Sequence, residues 1–269
     1  DMGYDVSNYK DIDPIFGTID DFKILIARAH ELGLKVIVDQ VLSHTSDQHE
    51  WFKQSRVSRD NDKADWYVWA DPLPDGSPPT NWHSHFGGPA WEFDAQRGQY
   101  YQHNFLAAQP DLNFHNPDVV EAVLDVCKFW LDIGVDGYRL DTVNYYFHDQ
   151  QLRSNPAAQL GQKIMATEVF GMQDNIYNKN RPENLGFLEK LRALTDQYDD
   201  VMLVGEVGEG GRRAVEIMGA YTQGSDRLHM AYSFPMLGPD FSADHFRSCI
   251  ESFQTGAPGG HPKWSFSNH

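Results

Sequence analysis

Apolar residues recur along this chain at helical spacing and then gather into short unbroken runs, and the alternation returns several times. Phe22, Leu25, Ile26 and Ala29 repeat at three- and four-residue intervals behind Thr18, which can cap a helix with Asp21 at the capping-box position. Asp20 adds negative charge beside the positive end of the helix dipole, and Gly33 ends the run. Lys35 to Asp39 then reads as a short buried strand. Asn116 and Pro117 open a second helix by cap and first-turn proline. Val120, Val123, Leu124, Cys127 and Leu131 form its apolar face, Gly134 stops it, and Val135 to Asp141 follows as a strand. A third unit runs from Pro182 through Leu185, Leu188, Leu191 and Leu194 into a strand over Val201 to Glu206. Leu228 to Phe234 makes a fourth strand, and a helix near 243–253 precedes a last one from Trp264 to His269.

Repeated helix-to-strand units predict a parallel sheet. No GxGxxG follows any strand, which argues against a nucleotide-binding doubly wound fold. Instead Asp39, Asp141, Glu206 and His269 each close a strand. In a (β/α)8 barrel the strand C-termini converge, so these four groups would meet in one pocket. Between His44 and about Leu112 the alternation fails. That segment holds Trp51, Trp66, Trp69, Trp82 and Trp91 and a turn-rich run from Asp71 to Pro79. It is far longer than an ordinary loop, so a small inserted domain is expected, its aromatic residues serving mostly as its own core.

Composition then narrows the partners. With 39 acidic against 22 basic residues and a net charge of −17, the chain repels polyanions, so nucleic acid is not an expected partner. A neutral substrate fits this charge. No run approaches the roughly 18 apolar residues of a membrane helix, so no membrane association is expected. Cys127 and Cys249, without a CxxC, read as buried free thiols rather than a disulfide framework.

Asp141 and Glu206, closing consecutive predicted strands, suit acetal hydrolysis, which needs two carboxyl groups flanking the bond; in retaining enzymes these sit about 5–5.5 Å apart. Arg139, two residues before Asp141 and on the same strand face, would hold the aspartate ionised as a nucleophile requires. The apolar run before Glu206 would raise its pKa, as an acid catalyst requires. On these residues alone, another barrel hydrolase or an aldolase is equally open.

The strings DQVLSH at 39–44, QPDLN at 109–113, GVDGYRLD at 134–141, GE at 205–206 and SNH at 267–269 resemble, in order, the signature regions of glycoside hydrolase family 13, the α-amylase superfamily. DMGYD at 1–5 and DPIFGT at 13–18 belong to the same pattern, and QPDLN is similar to the oligo-1,6-glucosidase and α-glucosidase branch. The resemblance spans essentially the whole chain. It implies an incomplete (β/α)8 TIM barrel, about strands 3–7, from residues 1–44 and 113–269, with 45–112 as an inserted domain B. It further implies Asp141 as nucleophile and Glu206 as general acid/base, with Arg139 and His44 binding the sugar. By the same resemblance Asp1 and His269 would touch sugar hydroxyls, Tyr4 would stack on the ring, and Phe86 and Phe105 would wall the subsite.

Departures from the family pattern refine this expectation. The fourth signature stops at Asn268-His269, so the third carboxylate would lie one residue further on, and the first two strands, the eighth and a C-terminal β-domain are absent. The 269-residue chain alone is therefore expected to be unstable and inactive. Ser43 stands where many α-amylases place a calcium-holding asparagine, so no metal and no other cofactor is expected. Thr142, after the nucleophile, accompanies α-1,4 rather than α-1,6 cleavage in relatives, and the segment 145–181 would favour short oligosaccharides. The implied function is a retaining α-glucosidase acting on a small oligosaccharide, in the cytoplasm by family habit. Trehalose synthase, sucrose hydrolase, another transglucosidase and an inactive scaffold are the alternatives.

Overall fold

A computed structural model describes residues 3–159 and 169–267. In chain order the elements are α1 (Ile19–Glu31), β1 (Ile37–Gln40), α2 (Glu50–Ser55), β2 (Trp69–Ala70), β3 (Trp91–Asp94), β4 (Gln99–Gln102), α3 (Pro117–Ile133), β5 (Gly137–Leu140), α4 (Asn184–Thr195), β6 (Met202–Glu206), α5 (Gly211–Thr222), β7 (Met230–Tyr232) and α6 (Ala243–Gly256). The chain divides into two compact units, one of Lys10–Gln40, Val123–Asn144 and Pro182–His269, the other of Asp1–Tyr9, Val41–Ala122 and Tyr145–Arg181. Among the described residues, no helix is long and apolar enough to cross a membrane.

The first unit is built on a parallel sheet ordered β1-β5-β6-β7. Its strands are short, and the central ones are buried through Tyr138, Leu140, Leu203 and Val204. The α1 cap forms as the sequence predicts: Thr18 Oγ1 accepts from the Asp21 N–H at 3.2 Å, and the Thr18 N–H donates to Asp21 Oδ2 at 2.8 Å. Of the apolar face read for α1, only Ile26 is buried, and Leu25 stays exposed. Gly137 opens β5 at a φ of +147°, and a Cβ there would overlap the Met202 carbonyl oxygen on β6. Only glycine lets these two strands approach so closely.

Two features of this unit differ from the sequence reading. The strand expected from Trp264 onward does not form over residues 264–267. The chain meets β7 earlier: Ala231 donates to the His261 carbonyl at 3.1 Å and accepts from the Lys263 N–H at 2.8 Å. A 3₁₀ turn then follows β7 at Pro235–Leu237. The second difference is α5, which the sequence reading did not foresee; Gly210-Gly211 at its start reads as a turn. Cys127 is buried, with its thiol pushed up to about 12 by burial, whereas Cys249 is only half-buried, 3.7 Å from His245 Nε2.

The second unit carries an antiparallel sheet ordered β2-β4-β3. Its core joins Val68, Ala70, Trp82, Ala90 and Trp91, with Trp82 and Trp91 stacked at 5.6 Å between ring centroids. Each indole N–H finds an acceptor, Trp82 on the Arg153 carbonyl at 2.9 Å and Trp91 on Thr80 Oγ1 at 2.8 Å. Trp69 likewise donates to Ser55 Oγ at 3.0 Å, and cations cap two further faces: Arg97 lies 4.3 Å over the Trp69 ring and Lys63 Nζ 3.2 Å over the Trp66 ring. Asp111 of QPDLN is buried and accepts from both the backbone and side-chain N–H groups of Asn104, at 2.9 and 2.7 Å.

Candidate active site

The C-terminal ends of β1, β5 and β6 bring three carboxylates onto one guanidinium. Register places Arg139 on β5 directly beside Asp39 on β1. Arg139 Nη1 donates to Asp39 at 2.7 and 2.8 Å and to Asp141 Oδ1 at 2.8 Å. Its Nη2 forms an ion pair with Glu206 Oε2, and its Nε–H donates to the Tyr232 hydroxyl at 3.0 Å. The sheet fixes the backbone at the same level: the Asp141 N–H donates to the Gln40 carbonyl at 3.0 Å, and the Val143 N–H to the Glu206 carbonyl at 2.9 Å. Thr142, between them, adopts a left-handed φ of +39°, unusual for a β-branched residue. Its hydroxyl donates to Asp141 Oδ2 at 3.2 Å. Asn184 braces the turn from behind, donating to the Val143 carbonyl at 2.7 Å and to the Tyr221 hydroxyl at 2.8 Å.

Electrostatics add detail to the sequence reading at two places. Burial of Asp141, only 6% exposed, outweighs the attraction of Arg139 and pushes its carboxyl up to about 6; the negative charge of Asp39 works in the same direction. Arg139 opposes this rise, and the group is mostly ionised at pH 7. Glu206, in turn, is not in apolar surroundings. The residues before it in β6 are apolar, but the long Arg139 side chain reaches its carboxylate from β5. Burial opposes the charge on Arg139, yet its hydrogen bonds to Asp39 and the surrounding negative charges raise its pKa above the ordinary value.

Arg139, Asp141, Thr142 and Glu206 thus meet in one unit, joined by Asp39, which the sequence reading places among the strand-closing groups of one pocket, and by Tyr232, to which it gives no role. Tyr4, His44, Phe86 and Phe105 belong to the other unit. There His44 is buried, and its Nε2 lies 2.7 Å from the Tyr4 carbonyl, which can only accept, so Nε2 carries the proton. Nδ1 is then free to accept from Ser43 Oγ at 2.9 Å. Burial lowers the His44 pKa to about 4, so the ring is neutral at pH 7. Phe105 is buried against His44 at 5.4 Å and Tyr145 at 5.1 Å, with the exposed Phe86 ring at 5.8 Å. Asp1 and His269 lie outside the described residues. Among the described residues, no group of three or more His, Cys, Asp or Glu side chains is arranged to hold a metal ion.

Two buried carboxylates sharing one arginine suit a substitution at a carbon that becomes cationic as its bond breaks. Comparison with known proteins gives the family. Residues 1–255 match the alpha amylase, catalytic domain, and the chain belongs to that family. It is 56% identical over 274 residues to a probable alpha-glucosidase of Rhizobium meliloti (strain 1021), covering all of this chain and 50% of that protein. It is 41% identical over 248 residues to an oligo-1,6-glucosidase of Heyndrickxia coagulans, covering 89% of this chain and 41% of that one. Among solved structures, the alpha-glucosyl transfer enzyme XgtA superposes with a TM-score of 0.94 at 50% identity, over 99% of this chain and 50% of its own. The chain spans about half the length of the relatives it matches. The parallel sheet described above is accordingly part of a (β/α)8 barrel.

Proposed function

We propose that the protein is a retaining α-glucosidase, with Asp141 as the nucleophile and Glu206 as the acid/base. One observation carries the reading: Arg139 contacts both carboxylates, so they face one reaction centre. In the first step Asp141 attacks the anomeric carbon while Glu206 protonates the leaving oxygen, giving a covalent glucosyl ester. In the second, Glu206 removes a proton from water, which attacks the same carbon and frees Asp141. Arg139 stabilises the ionised Asp141, and the Thr142 hydroxyl donates to its second oxygen. The resemblance assigns Asp1, Tyr4, His44, Phe86, Phe105 and His269 to the sugar subsite, and no metal is proposed within this chain. The same resemblance sets the enzyme in the cytoplasm.

Trapping of the full-length protein with 5-fluoro-α-glucosyl fluoride, followed by peptide mapping, tests the assignment; the variants below are made in that same full-length protein. Label on Asp141 supports it, and a folded, maltose-binding protein that takes no label refutes it. Thr142 favours α-1,4-linked substrates, so maltose should be turned over faster than isomaltose; the reverse order would overturn that part. Glucosyl transfer is a second reading, favoured by the likeness to XgtA. Product analysis on concentrated maltose separates the two, since transfer yields longer oligosaccharides and hydrolysis yields glucose alone.

A further inference from the structure

The Nε end of the Arg139 guanidinium is anchored by a residue for which the catalytic roles above have no use. Tyr232 stands directly across from Glu206 in the β6–β7 register, and its hydroxyl accepts the Arg139 Nε–H at 3.0 Å. A guanidinium is a rigid plane with five N–H groups in a fixed fork. Here Nη1 spans Asp39 and Asp141 while Nη2 faces Glu206. Fixing Nε removes the remaining freedom of that plane to roll about the side-chain axis. The phenol is itself held: it is 6% exposed, the Tyr232 carbonyl accepts from the Val207 N–H at 2.8 Å, and Lys263 Nζ lies 4.3 Å over the ring. Burial raises the phenol above its ordinary pKa, so its oxygen remains a neutral acceptor wherever the enzyme works.

We propose, building on the glucosidase reading above, that Tyr232 is a positioning residue that acts through Arg139. Its hydroxyl sets the one roll of the guanidinium in which separate N–H edges serve the Asp141 and Glu206 carboxylates. Phenylalanine at this position would leave a buried N–H of a charged group without its acceptor and let the plane tilt. The effect belongs mainly to kcat, because the contacts disturbed are those to the reacting carboxylates rather than to the sugar.

The test compares wild type, Tyr232→Phe and Lys263→Ala in kcat, KM and the pH profile of kcat/KM. Rates are normalised to the fraction labelled by 5-fluoro-α-glucosyl fluoride, so that loss of folded protein cannot imitate the result. Tyr232→Phe should lower kcat by about 10- to 100-fold with a much smaller change in KM. The acid limb should also move to higher pH, because a looser Arg139 holds Asp141 ionised less well. Lys263→Ala, which touches the ring but not the hydroxyl, should leave the acid limb in place. Should Tyr232→Phe not fold, 4-aminophenylalanine at position 232 fills the same volume with a poor acceptor and should give the same displacement. An active, labelled wild type beside a Tyr232→Phe enzyme with unchanged kcat and acid limb overturns this role alone. A wild type that takes no label overturns the glucosidase reading and this role with it.

Discussion

Replacing Asp141 with asparagine should make the protein more stable at neutral pH while abolishing turnover. In the folded state the Asp141 carboxyl is raised from 3.8 to about 6, with burial as the main cause. Its native pKa therefore lies above its unfolded value, and between pH 4 and 6 the folded protein binds more protons than the unfolded chain. Stability associated with this group is fully present below pH 3.8 and is lost as pH rises through about 6. The interval corresponds to about 3 kcal/mol, to be read as an order of magnitude. Asparagine imitates the protonated acid and has no charge to bury. The assay is urea unfolding of wild type and Asp141→Asn at pH 4 and pH 7.5. The difference between them should grow by about 2–3 kcal/mol in favour of asparagine across that range. Every other carboxylate cancels in the subtraction. A difference that stays level with pH, or turns against asparagine as pH rises, would refute the argument that burial outweighs Arg139.

Further outcomes follow from the same geometry. The kcat/KM profile should have an acid limb near pH 6, since the nucleophile must be ionised; a limb near pH 4 on 4-nitrophenyl α-glucoside would mean that Arg139 dominates after all. Glu206→Gln should lose about 10²- to 10⁴-fold in kcat on maltose yet retain much of its rate on α-glucosyl fluoride, whose leaving group needs no proton; equal losses on both would remove Glu206 from the acid role. Gly137→Ala should destabilise by more than about 3 kcal/mol in urea unfolding, because its Cβ would enter the Met202 carbonyl; a loss below 1 kcal/mol would show that β5 and β6 can part without consequence. Thr18→Ala should cost about 1 kcal/mol through the α1 cap, and an unchanged urea midpoint would contradict the capping-box account.

Local chemistry was the part of this fold that could be read from residues alone. The Thr18 cap, the Pro117 helix start and the Gly134 stop need only neighbours a few positions away, and each stands where the pattern puts it. The helix α5 escaped because its first residues, Gly210 to Arg213, hide a buried face that Ala214, Met218 and Tyr221 carry at helical spacing. Residues 264–267 are strand-like in composition but form no strand, since pairing depends on the neighbouring strand rather than on their own composition. At the site, the identities of Arg139, Asp141 and Glu206 were legible, but the balance of forces among them was not. The depth of burial at Asp141 and the reach of Arg139 to Glu206 are set by three strands packing side by side, which no single segment records. Tyr232 shows the same dependence, becoming meaningful only once register sets it beside Glu206, whereas Asp39 was legible as a strand-closing group.

The adjacency of β5 and β6 also selects a stereochemical course. Neighbouring strands lie about 4.8 Å apart, and strands once removed lie about twice that distance. Asp141 just beyond one strand and Glu206 at the end of the next are therefore carried a single strand spacing apart, which suits the double-displacement pair proposed above, whose carboxyl groups need about 5–5.5 Å. Were the acid carried by β7 instead, one strand further round, the gap would approach the 6.5–9.5 Å that admits a water molecule beside the sugar and inverts the anomeric centre. In such a sheet, whether configuration is kept or reversed turns on which strand carries the acid.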